Sequence, residues 1–244
     1  VTTPLTLADM VDDAALLSLE HQLRLVEVIG GRTCDLDLAA PQASFAGNPP
    51  LVADRVHVIG VASPETRTWS WAWSWATRDD LPAPLFGLVV ALREFGSKRG
   101  IGTLVQPEIG FADLGAEDPR QVADLLAEAA KVFSGRWTSY QMDAGEGAIM
   151  TILIEHPSFL LPAPDPERVL RVLQKGTVDL GLRDHRRAVG SYAWLRGLGI
   201  TFSPDNSTAE LTGPGLHAEL TFDDTAQLAG IRSIVDGPEH SPSH

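Results

Sequence analysis

Asp35 and Asp37, in Thr33-Cys34-Asp35-Leu36-Asp37-Leu38, have the spacing of a pair of metal-binding carboxylates. A half-exposed strand places polar residues at the same spacing on its solvent face, so a plain structural reading stands beside the metal one. Glu155 and His156 adjoin a proline, and together with Asp37 or His57 they could form an acid–base set. His57, His156, Asp35 and Asp37 are therefore the candidate catalytic residues, with a partly exposed strand histidine as the alternative for His156. Cys34 is the only cysteine, so the chain has no intramolecular disulfide and no Cys-rich zinc site. Its alternation with Leu36 and Leu38 makes it a small buried hydrophobe before it is a nucleophile.

The most unusual stretch is aromatic. Residues 68–76 read Thr-Trp-Ser-Trp-Ala-Trp-Ser-Trp-Ala, holding four of the six tryptophans. Alternate residues of a strand share a face, so a strand here would project Trp69, Trp71, Trp73 and Trp75 to one side. A helix would scatter them. The row has two uses. It could be core, each indole removing ~200 Å² from water, or it could be a stacking wall for a flat ligand. Four indole N–H groups need acceptors in either case. Arg183-Asp184-His185-Arg186-Arg187 is the one basic cluster, readable as an anion contact or as a solvated helix face with Asp184 as cap.

Several chemistries have no motif in this chain. There is no phosphate-binding Walker loop, no dinucleotide glycine fingerprint, no His-Glu-x-x-His and no Gly-x-Ser-x-Gly. A net charge of −13 argues against binding to nucleic-acid phosphates, which needs clustered Lys and Arg. No apolar run approaches the ~18 residues of a membrane span, and the amino end is polar and acidic rather than signal-like. The expectation is a cytoplasmic protein with no metal and no cofactor.

The elements that must position these residues follow from periodicity and punctuation. Residues 6–29 carry helical spacing and stop at Gly30-Gly31. Residues 33–38 alternate, residues 41–50 read as a loop, and Val56 to Val61 reads as a strand. The turn Ser63-Pro64-Glu65-Thr66 then pairs that strand antiparallel with the tryptophan row. A helix is expected over residues 82–98, capped by Asp79 or Asp80, and a second from Pro119 to Gly135 behind Asp118. A hairpin follows over 136–142 and 148–155. Beyond the prolines at 157, 162, 164 and 166 come helices at 166–175 and 183–196 and short strands at 199–203, 207–212, 216–222 and 227–235. The implied organisation is α+β, antiparallel sheets with helices packed on one face, in two α+β halves. The boundaries are 1–156, a Pro-rich linker at 157–166, 167–236, and a disordered tail at 237–244.

The first half resembles a group of uncharacterised, mostly actinobacterial proteins known only as a domain of unknown function. The likeness runs through His21-Gln22-Leu23, Gly30, the strand from Asp35 to Leu38, Gly60 and above all Trp69-Ser70-Trp71-Ala72-Trp73. It continues through Arg93, Gly96 and Tyr140, covering about residues 15–155. In that group Leu commonly stands at the place of Ser70 and Asn follows Trp-Ala, so the fourth tryptophan, Trp75, is a departure. The resemblance implies a fold and no catalytic residues. The function expected is that of a non-enzymatic binding or interaction protein, with regulation among its open roles and an unknown protein or small flat ligand as partner. The alternative is a small-molecule enzyme with a Trp-walled cavity and His/Asp acid–base residues.

Overall fold

The computed structural model describes residues 4–75 and 81–233. Contacts divide the chain into two compact units, Val1–Ala14 with Ser18–Leu161, and Ala15–Leu17 with Pro162–His244. Both are α+β, and among the described residues every strand pairing is antiparallel.

In the first unit, helix α1 (Leu7–Ile29) opens on a capping box. Thr6 accepts from the Asp9 N–H while the Asp9 carboxylate accepts from the Thr6 N–H. Three short strands, β1 (Cys34–Asp37), β2 (Gln42–Phe45) and β3 (Leu51–Ala53), form one small sheet in that order. β2 and β3 occupy residues expected to be loop or left unassigned, because strands of three or four residues carry too few alternations to read.

The main sheet contains β4 (Arg55–Ser63), β5 (Thr68–Trp71), β6 (Glu108–Gly110), β7 (Ser139–Asp143) and β8 (Ile149–Glu155), ordered β6-β5-β4-β8-β7. Helices α2 (Gly87–Arg99) and α3 (Pro119–Ser134) touch each other, and both lie against β4. The expected start of α2 near Pro82 is replaced by a 3-10 turn at Ala83–Leu85, and its proposed caps Asp79 and Asp80 lie outside the described residues. α3 matches its punctuation. Asp118 accepts from the N–H groups of Arg120 and Gln121, and Gly135 closes the helix at φ 67°. A buried cluster ties α1 to α3: Lys131 Nζ donates to Ser18 Oγ at 2.6 Å and to Glu128 Oε1 at 2.9 Å.

The tryptophan row is not one strand. β5 ends at Trp71, and Ala72–Trp75 winds into a 3-10 turn. Ser74 supplies the physical reason, since its hydroxyl donates to the Trp71 carbonyl at 2.7 Å and folds the chain back. Trp69 and Trp71 are fully buried and meet edge to face at 5.5 Å. Trp73 and Trp75 are half-buried, and the Arg93 guanidinium lies 4.2 Å over the Trp73 ring. Trp71 Nε1 donates to the Thr103 carbonyl at 2.9 Å, whereas Trp69 Nε1 and Trp73 Nε1 are buried without a partner among the described residues.

The second unit has helices α4 (Pro166–Asp179) and α5 (His185–Arg196), then β9 (Gly199–Phe202), β10 (Thr208–Gly213), β11 (Leu216–Phe222) and β12 (Leu228–Ser233) in a meander ordered β12-β11-β10-β9. α4 runs four residues past its expected end, and a Lys175–Asp179 ion pair at 2.6 Å supports its last turn. The tail at 237–244, expected to be disordered, lies outside the described residues.

Candidate functional site

The β4–β8 register decides which polar groups meet. Arg55 stands directly opposite Glu155, and His57, two residues along β4, shares that face. Arg136 enters from the segment linking α3 to β7. The result is a carboxylate surrounded by three bases. Glu155 Oε1 accepts from Arg136 Nε at 2.8 Å and lies 3.4 Å from His57 Nε2, while Oε2 is 3.9 Å from Arg55. Of the two partners expected for the Glu155-His156 pair, the structure brings His57 to Glu155.

Burial holds the His57 pKa below the ordinary 6.5, and the nearby Arg136 and Arg55 charges press the same way against the pull of Glu155. Burial raises the Glu155 pKa, but hydrogen bonds from Arg136 and His57 outweigh it and the net value falls below 4.5. Both shifts act in one direction on stability. Below pH 6.5 the unfolded chain takes up the histidine proton before the folded one does, so acidification favours unfolding. The Glu155 contribution is complete above pH 4.5 and is lost as pH falls through its lowered folded value. The expected melting temperature therefore declines from pH 7 to pH 4. His57→Gln should flatten the upper part of that decline, measured by thermal melts across pH. An unchanged profile in the variant would remove His57 from the account.

Around this cluster lies a cleft of about 510 Å³. Its walls include Arg55, Arg136, Glu155 and His156, together with His21 from α1 and Trp137 from the α3–β7 segment. The Trp137 and His21 rings stack at 6.3 Å with planes 21° apart. A smaller cavity of about 360 Å³, which Arg136 also lines, has His57, Leu88, Phe133 and Ser134 in its walls.

The remaining sequence candidates fall elsewhere. Asp37 Oδ1 accepts from the N–H groups of Ala39 and Ala40, which makes it a turn cap, and Asp35 is exposed on β1. No group of three or more His, Cys, Asp or Glu with metal-holding geometry occurs among the described residues. Burial, with the Asp35 charge adding to it, pushes the Cys34 thiol up to about 11, so it stays protonated and a poor nucleophile at neutral pH. His156 lines the cleft, but its Nδ1 accepts from the Ser158 N–H at 3.1 Å and caps a 3-10 turn. Trp69, Trp71, Trp73 and Trp75 line neither cavity. In the basic cluster, Arg186 donates to the Asp223 carbonyl and His185 Nδ1 accepts from the Leu228 N–H at 2.9 Å, so both fasten α5 to the β11–β12 turn.

Trp137, Arg136 and His21 lie in no motif that marks a site along the chain. One signal was available for Trp137, a tryptophan in the polar run Gly135-Arg136-Trp137-Thr138-Ser139 with no apolar periodicity to bury it.

The fold and cleft define an α+β domain with an ion-paired floor and an aromatic wall. The chain belongs to the family of unknown function DUF6882, which it matches over residues 8–157. No curated protein and no solved structure matches it. Among the described residues, no helix is long and apolar enough to cross a membrane.

Proposed function

We propose that the DUF6882 domain of this chain is a non-enzymatic binding module whose ligand seats in the Trp137 cleft. The observation that carries this reading is the half-buried Trp137–His21 stack beside the Arg136–Glu155 ion pair. A concave apolar wall with a few convergent polar groups is the usual make-up of a small-molecule site, and about 510 Å³ falls within the usual size range. Glu155 holds Arg136 by its Nε, so the guanidinium is oriented before a ligand arrives, which reduces the entropy lost on binding.

An acid–base enzyme has one observation behind it, the approach of Glu155 to His57. The arrangement suits catalysis less well. Nε2 faces the carboxylate, and Nδ1 is buried without a partner among the described residues, so neither ring nitrogen is open to a substrate.

The test is a thermal-shift screen of small aromatic compounds on the wild type and Trp137→Leu. Compounds that raise the wild-type melting temperature should lose that effect in the variant. Equal shifts in both proteins would place the site elsewhere.

A further inference from the structure

We propose that the ligand is a free aromatic α-amino acid, its ring on Trp137 and His21, its carboxylate on Arg136 and Arg55, and its ammonium on Asp54. This rests on the binding reading above and assigns that site a ligand class. The argument is an inventory of unused hydrogen-bonding capacity around one cleft. Arg136 uses Nε on Glu155 and leans Nη1 on the Ser134 carbonyl at 3.4 Å, leaving Nη2 without a protein partner among the described residues. Arg55 comes no closer than 3.9 Å to Glu155, and its side chain is 71% exposed, so its planar fork is open for a carboxylate. Asp54, the neighbouring residue on the same rim, makes no hydrogen bond or ion pair among the described residues.

Open donors and an open acid therefore line the same cleft as an aromatic wall. A simple aromatic acid would leave Asp54 unmatched. A simple aromatic amine would leave both guanidinium groups unmatched. A zwitterion with a ring uses all of them, and at the size of a single amino acid it fits the cleft.

The experiment uses the full chain, isothermal titration calorimetry and three probes with one ring: L-phenylalanine, L-phenylalaninamide, which lacks the carboxylate, and N-acetyl-L-phenylalanine, which lacks the ammonium. L-Phenylalanine should bind about tenfold more tightly than either analogue, the loss expected for one charged hydrogen-bonded contact. Asp54→Asn should erase its advantage over the N-acetyl form, and Arg55→Gln should reduce its advantage over the amide. Both variants sit on the exposed rim and should melt like the wild type. Equal affinity for all three probes, or a preference for either analogue, would overturn the ligand class while leaving the cleft as a binding site. If no probe binds while aromatic compounds still give Trp137-dependent thermal shifts, the class fails alone. If neither occurs, the binding reading fails with it.

Discussion

Trp71→Ala should destabilise the first unit by about 3–5 kcal/mol, the range for deleting a large aromatic side chain from a packed core. Trp71 is fully buried, packs edge to face on Trp69, and its indole N–H satisfies the Thr103 carbonyl at 2.9 Å. Truncation removes the apolar area and leaves that carbonyl without this donor. Trp75→Leu should cost far less, because Trp75 is half-buried in the 3-10 turn after the strand. Urea denaturation of the two variants checks the contrast. Similar losses for both would mean that the row acts as a single packed unit.

Gly60→Ala should be comparably severe, about 3 kcal/mol or more, through overpacking rather than a cavity. A Cβ on Gly60 would press into the Ser70 carbonyl oxygen and stand 2.7 Å from Trp69 Cε2. Neither neighbour can retreat cheaply. The carbonyl belongs to the backbone of β5, which is paired to β4 at this point, and the indole is locked in the core. The glycine therefore lets the Trp69 ring lie across β4. The expected result is low soluble yield or a urea midpoint shifted well below wild type. An alanine variant with wild-type stability would show that the β4–β5 pairing tolerates a spacing different from the one described.

Much of the fold was legible because its signals are local. Asp118, Pro119 and Gly135 bound α3, and Asp184 caps α5 through the Arg187 N–H. The alternation of the tryptophans was read correctly as far as Trp71 and misled beyond it. A period of two cannot reveal that Ser74 will turn back onto the Trp71 carbonyl. Two of the residues that carried the family likeness serve packing here. Gly96 admits Leu104, whose Cβ would lie 2.5 Å from an added Cβ, and Tyr140 meets Phe45 edge to face at 5.4 Å. His21 stands instead in the cleft wall. The site stayed hidden because its parts come from residues near 21, 55, 136 and 155 and are joined by the β4–β8 register. No spacing along the chain encodes that meeting. His57 and Glu155 were each identifiable as acid–base types, but burial lowers the His57 pKa and hydrogen bonds from Arg136 and His57 lower that of Glu155, and only the tertiary fold supplies these.

The most direct test of whether ligand sits in the cleft or on the tryptophan row is a nitrogen-edited NMR spectrum of the six indole N–H groups. Each signal is assigned by single Trp→Phe variants, and the full-length protein is titrated with L-phenylalanine, its amide and its N-acetyl form. A probe that binds should move the Trp137 signal and leave those of Trp69 and Trp71 in place. Movement of Trp73 or Trp75 with Trp137 stationary would contradict the account and return the ligand site to the tryptophan row.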